Sequence, residues 1–218
     1  MAVSKTKPAG AILEAMAAGQ LLFGENRVQE FAGKRQGLGE RAAGAKFHLI
    51  GHLQSNKAAR AVELFDAIDT VDSLRLAERL NQDRLNQERL DQATGRPLEV
   101  LIEVNIGGEA AKAGLAPDSD ELRALLGAQL RLPGLAIRGL MTVPPYTPDP
   151  EGARQCFRRL RELRDRMRER SGLALEELSM GMSHDFEVAI EEGSTCVRVG
   201  TAIFGARTYA GSVEERAR

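Results

Sequence analysis

Aromatic side chains are scarce in this chain: they make up 4% of its 218 residues, and tryptophan is absent. The core must therefore be assembled mainly from Leu, Val, Ile and Ala. Cysteine is nearly absent too. Cys156 and Cys196 lie on different predicted elements, and no basic region followed by an apolar stretch marks a secretory signal at the N-terminus. Both thiols are expected to stay reduced and structural, in a cytoplasmic protein without a disulfide framework. Neither sign of charge prevails, with 30 Lys plus Arg against 31 Asp plus Glu. That balance argues against the broad basic field that draws nucleic acid or an anionic membrane surface. No apolar run approaches the roughly 20 residues that cross a bilayer. No G-x-G-x-x-G follows the first strand, so a dinucleotide-binding fold lacks its fingerprint. No Pro/Ser-rich linker or shift in composition divides the chain, and one domain over residues 1–218 is expected.

What is present is a regular alternation. Short apolar runs read as strands at Ala2-Val3-Ser4, Leu21–Gly24, Phe47–Ile50, Phe65–Val71, Leu98–Val104, Leu135–Met141, Leu178–Met180 and Thr195–Val199. Helical signals follow each one. Pro8 suits a first helical turn, where its missing N–H costs nothing. Asp72-Ser73 can cap a helix carrying Leu74, Ala77 and Leu80. Asp120–Leu130 reads as helix. Asp149–Arg170 places Phe157, Leu160, Leu163 and Met167 at spacings of three and four, with Arg and Glu on the opposite face. The near repeat of Asn81–Leu85 in Asn86–Leu90 reads as a solvated helical face. Val143-Pro144-Pro145-Tyr146 is a loop, because two prolines exclude regular structure. Eight strand-helix pairs imply an α/β fold, a single (β/α)8 TIM barrel; an open doubly wound sheet is the alternative.

In such a barrel the functional face is built from the segments just after each strand. Those segments hold Lys5, Asn26, Gln54 with Asn56, Asn105, Met141, Ser183, and Gly200 with Thr201. Gly181-Met182-Ser183 precedes a helix that Ser183 is placed to cap. Val199-Gly200-Thr201-Ala202 runs from a strand into a helix start. Backbone N–H groups in such positions bind phosphate. A lysine at the end of strand one can equally be a solvated charge, but beside two phosphate-type loops it suggests a Schiff base. Burial lowers a lysine's pKa, and the neutral amine attacks an aldehyde. A sugar-phosphate aldehyde, as in a class I aldolase, and pyridoxal 5′-phosphate both satisfy this pattern. Lys7 lies close enough to Lys5 to compete for the role. His48, His52 and His184 lack the tight spacing of a zinc site, so no metal is expected.

Six motifs carry a resemblance. They are Ala2-Val3-Ser4-Lys5-Thr6-Lys7-Pro8, Phe23-Gly24-Glu25-Asn26, His48–Lys57, Gly139-Leu140-Met141, Ser179-Met180-Gly181-Met182-Ser183-His184-Asp185, and Arg198–Gly205. In this order they resemble the pyridoxal phosphate homeostasis protein family from end to end. The resemblance implies a barrel like the N-terminal domain of alanine racemase, the fold-type III pyridoxal phosphate barrel. It implies pyridoxal 5′-phosphate as cofactor, bound as an aldimine on Lys5. Ser183, Gly200 and Thr201 would hold the phosphate, Arg198 would face the pyridine nitrogen, and Asn26 and Met141 would line the ring pocket. A cation beside that nitrogen disfavours its protonation and weakens the ring as an electron sink. The implied role is therefore homeostasis of the vitamin B6 pool, without established catalysis. The partners would be the cofactor and apo-enzymes that receive it, with no nucleic acid, no membrane, and a monomeric protein. A racemase-like enzyme is the alternative.

Two departures from the family pattern stand out. Arg27 occupies the position after Gly-Glu-Asn where the family usually has Tyr. Family members also carry a helical segment ahead of strand one, whereas here only Met1 precedes Ala2. Chain ends fray unless tied down. The expectation is therefore a longer chain in the cell, or weak cofactor binding by this form.

Overall fold

The computed structural model describes residues 1–91, 95–109 and 112–206. Eight strands form one sheet in sequential order: β1 Ala2–Val3, β2 Leu22–Glu25, β3 Lys46–Leu49, β4 Ala67–Val71, β5 Leu98–Glu103, β6 Leu135–Met141, β7 Glu177–Met182 and β8 Cys196–Arg198. Every neighbouring pair is parallel. The ring is closed. Ala2 pairs in parallel with Val199, Val3 N–H donates to Val199 O at 2.8 Å, and Val199 N–H donates to Met1 O at 3.0 Å. That closure is what separates a barrel from the doubly wound alternative. β1 is thus hydrogen-bonded on both flanks, to β2 and to the end of β8.

The helices are α1 Ala9–Ala17, α2 Val28–Leu38, α3 Ala58–Leu64, α4 Leu74–Asp91, α5 Asp120–Gly127, α6 Arg154–Ser171, α7 Phe186–Glu191 and α8 Thr201–Phe204. Local chemistry explains their ends. Ser119 Oγ accepts from Leu122 N–H at 3.2 Å, and Asp120 and Glu121 sit in the first turn of α5, where acidic groups meet the positive helix end. α5 is shorter than its sequence signal, because Gln129–Arg131 tightens into a 3-10 turn. The run from Asp149 opens with another 3-10 turn, Pro150–Ala153, capped by the Asp149 side chain. α6 then buries Phe157, Leu160, Leu163 and Met167 against the sheet and ends at Gly172 in the left-handed region. The near repeat lies on α4, where Arg79–Asp83 and Gln82–Asn86 pair one turn apart.

Four of the nine aromatic residues gather in one corner. Phe31 on α2 packs on Phe47 and Phe65 with ring centroids 4.6 and 4.8 Å apart, and Phe47 stacks on Phe23. Aliphatic side chains form the rest of the buried apolar layer between sheet and helices, apart from Phe157. Inside the ring the packing is partly polar. His48 Nδ1 lies 3.0 Å from Asp69 Oδ1, with Asp69 almost fully buried. Burial opposes the charged imidazole, but the Asp69 bond and charge outweigh it and raise the His48 pKa above its ordinary value.

Among the described residues, no helix is long and apolar enough to cross a membrane. Both cysteines are free and half-buried.

Candidate functional site

A cavity of about 480 Å³ opens among the carboxyl ends of the strands. Lys5 after β1, Asn26 after β2, Ser183 after β7, Arg198 at the end of β8, and Gly200 with Thr201 beyond it all border this cavity. Six of the seven residues singled out in the sequence therefore converge. Met141 does not border it. It is the last residue of β6, buried between Glu103 of β5 and Ser179 of β7, and Val143 two residues on reaches the cavity instead. Gln54 and Asn56 belong to a separate pocket of about 380 Å³, where His52 Nδ1 lies 3.1 Å from Asp72 Oδ2. Asn105 folds its own loop by donating to the carbonyls of Glu109 and Lys112. A larger groove of about 660 Å³ lies at the opposite, amino end of the barrel. Its lining is mostly charged and includes the Arg138–Glu99 pair, so size alone does not mark the site.

The two lysines near strand one part company at a tight turn. Lys7 N–H donates to Ser4 O at 3.0 Å, and Thr6 between them has φ of 64°. A β-branched residue in that region is a genuine outlier. The turn sends Lys7 Nζ onto the carbonyl oxygens of Phe204, Gly205 and Ala206, at 2.7, 3.3 and 3.2 Å. Its three protons are thereby directed at those carbonyls, and Lys5, half-buried, borders the cavity.

Ser183 does not cap α7. That position is Asp185, whose Oδ1 accepts from Met182 N–H at 2.6 Å. Ser183 Oγ instead accepts from Gly200 N–H at 3.1 Å, tying the two phosphate-type loops to each other. Gly181, at φ of 94°, lets the loop pass α7: a Cβ there would lie 2.5 Å from that of Ala189.

Arg198 is 4% exposed, yet its guanidinium is held on two sides. Nη1 donates to Ser179 Oγ at 2.7 Å and Nη2 to Thr142 O at 2.8 Å. Burial lowers its pKa, but arginine is not deprotonated in proteins, so a fixed positive charge remains. Glu103 sits inside the ring near it. Burial pushes its carboxyl above the ordinary range, helped by the nearby Asp72 charge and opposed by His52 and Arg198.

Several lining residues are not marked out as site residues by the sequence. Val3, Ile50, Val143 and Met182 supply apolar wall. Tyr146 and His184 meet at the rim with ring centroids 5.5 Å apart, and His184 Nε2 lies 3.0 Å from Thr147 O. Arg27 is exposed at the start of α2 and does not border the cavity.

The profile of the alanine racemase N-terminal domain matches residues 1–208. Pyridoxal phosphate homeostasis proteins of Aquifex aeolicus and Pseudomonas aeruginosa are 44% and 46% identical over 209 residues, spanning 96% of this chain and 87% and 84% of theirs. The chain belongs to this family. Among solved structures, family member PipY of Synechococcus elongatus with PLP bound is similar at a TM-score of 0.83 and 41% identity, covering 94% of this chain and 91% of that one. An alanine racemase of Clostridium difficile is similar at a TM-score of 0.72 and 15% identity, over 96% of this chain and 52% of that one. That likeness speaks to the fold alone. The family's barrel is thus the architecture that sequential strand order and closure at Val199 already define.

Proposed function

We propose that this protein binds pyridoxal 5′-phosphate through Lys5 and serves its homeostasis, holding and handing on the cofactor rather than turning over amino acids. The observation that carries the reading is the convergence of a half-buried lysine with Ser183, Gly200, Thr201 and Arg198 on one cavity, while Lys7 is engaged elsewhere. The cavity fits the group chemically. It offers an amine, apolar walls for an aromatic ring, and a hydroxyl and a backbone N–H of the kind a phosphate takes, in the 300–1,000 Å³ range typical of small-ligand sites. When bound, the group supplies an aldehyde with which an amine condenses, losing water.

The chain's own residues do the rest. Ser183 Oγ and Thr201 Oγ1 bind the phosphate, and the Gly200 N–H joins them by exchanging its bond to Ser183 Oγ for one to a phosphate oxygen. Asn26, Ile50 and Met182 hold the ring. Arg198 keeps a permanent cation in the wall, which disfavours a protonated pyridine nitrogen and with it carbanion chemistry. The relatives named homeostasis proteins, and the PLP-bound PipY structure, support the same reading. Apo-enzymes that require the cofactor are the proposed recipients. Six of the seven residues expected from the sequence border the cavity, and Val143 borders it beside them.

The test is borohydride reduction of the purified, cofactor-incubated protein, followed by peptide mapping. The pyridoxyl group is expected on Lys5. A label on Lys7 alone, or no label, refutes the reading. A screen for exchange of amino-acid α-hydrogens with solvent deuterium separates carrier from enzyme. Exchange faster than with free cofactor defeats the carrier role.

A further inference from the structure

Behind the Lys5 turn lies an ionic cluster, built on one buried carboxylate, that contacts the backbone on both sides of that residue. Glu25, the last residue of β2, is fully buried. Lys34 on α2 reaches it with Nζ at 2.8 and 2.9 Å from its two carboxylate oxygens. The same ammonium donates to Ser4 O at 2.8 Å and pairs with Glu30 at 2.7 Å. Ser4 Oγ donates to Glu25 at 2.7 Å, and Glu30 accepts from Thr6 N–H at 2.6 Å. The residue before Lys5 and the residue after it are thus bound to one three-membered cluster. Burial pushes the Glu25 carboxyl up, and the Lys34 ammonium draws it back.

We propose that Lys34 is a positioning residue for Lys5: with Glu25 and Glu30 it clamps the Ser4–Lys7 turn and so aims the lysine into the cavity. The physical need is the Thr6 backbone. A left-handed threonine is unfavourable by about 1–3 kcal/mol and persists only where the surroundings over-determine it. Here the Glu30 bond to Thr6 N–H and the Lys34 bond to Ser4 O supply that constraint. A lysine has three donors and no acceptor. At Lys34 they serve Ser4 O, Glu25 and Glu30, so a neutral side chain of similar length cannot replace it. For Lys5 as the cofactor lysine, the inference rests on the function proposed above.

Two arms test it, and the first needs no cofactor. Hydrogen exchange of the Thr6 and Lys7 amides is measured in the parent chain, in Lys34→Met, and in the double variant Lys34→Met/Glu25→Gln. The double variant removes the unpaired buried carboxylate, and thus the main threat to folding, while leaving Ser4 O without its ammonium. Both amides are expected to exchange at least about tenfold faster in each variant, by local opening of the turn. The second arm titrates each protein with pyridoxal 5′-phosphate and follows visible absorbance. Displacement of the turn by ~1 Å is expected to weaken binding by ~100-fold in both variants, although the double variant melts close to the parent. If the double variant recovers parent exchange rates and affinity along with its melting temperature, Lys34 serves only to neutralise Glu25 and the proposal is wrong. Should the parent take no label at Lys5, the functional reading fails, while the exchange arm still decides the clamp.

Discussion

Gly51 follows β3 by two residues, and a single methyl group there should disturb the cofactor pocket from behind. A Cβ at this position would lie 2.2 Å from Asn26 O and 2.9 Å from Asn26 Cγ. The shortfall from ordinary contact is roughly 1 Å, far up the repulsive wall. Neither side can yield cheaply. Gly51 O accepts from the buried Thr70 hydroxyl at 2.9 Å, and Ile50 N–H donates to Glu25 O at 2.9 Å. Asn26 must therefore move, and Asn26 lines the cavity. Gly51→Ala is expected to lower stability by about 1–3 kcal/mol, as overpacking does. For a chain of this size that is a fall of roughly 2–12 °C in melting temperature. Pyridoxal 5′-phosphate affinity should drop by ~100-fold, the cost of a misplacement near 1 Å. Thermal melts with and without cofactor, and titration by visible absorbance, give both numbers. An unchanged melting temperature with affinity within about twofold of the parent would refute the reasoning.

Ser183→Ala should cost about 1 kcal/mol or less in stability, since it removes one neutral half-buried bond, to Gly200 N–H. Its effect on binding should be selective, weakening pyridoxal 5′-phosphate by about tenfold or more while leaving unphosphorylated pyridoxal nearly unchanged. His48→Gln should reveal a pH-dependent loss. The folded His48 pKa is raised, so its bond to Asp69 contributes fully below the ordinary value near 6.5 and fades as pH climbs through the raised one. Denaturant melts of parent and variant should differ most in mild acid and converge in mild alkali, and a gap that widens with pH would contradict this. Leu160→Ala, at a fully buried position of α6, should cost about 2–5 kcal/mol by cavity formation, without changing the position of the borohydride label.

The barrel was legible because each of its elements follows a local rule. A parallel strand buried on both faces reads as an apolar run, and α6 shows its buried stripe at spacings of three and four. The ends of strands locate Lys5, Asn26, Ser183 and Gly200 by the same logic. What escaped were features decided by tertiary contact. Lys5 and Lys7 look equivalent on an extended strand end; Thr6 at φ of 64° breaks the alternation, and nothing about threonine announces that conformation. Ser183 has the composition of a cap, but Asp185 takes the neighbouring backbone bond and leaves the serine to reach Gly200. Met141 stands at a strand end like the others, yet its side chain is packed in the wall. Glu25 and Lys34 are nine residues apart with no motif spacing, and only the folding of α2 back over the end of β2 brings them together.

Closure of the ring between β1 and Val199 also has a kinetic meaning. The contact joins residues nearly 200 positions apart, and closing so long a loop carries an entropic cost of about 5 kcal/mol. β1 contributes only two residues to that seam, so it should be the last part of the barrel to zip up and the first to open. Lys5 stands on one flank of the seam, and Arg198 and Gly200 stand on the other. A ligand touching both flanks is a cross-link between the two ends of the fold, and its binding free energy adds directly to the resistance of the seam to opening. Loading and unloading of such a ligand can therefore be timed by the breathing of one short strand.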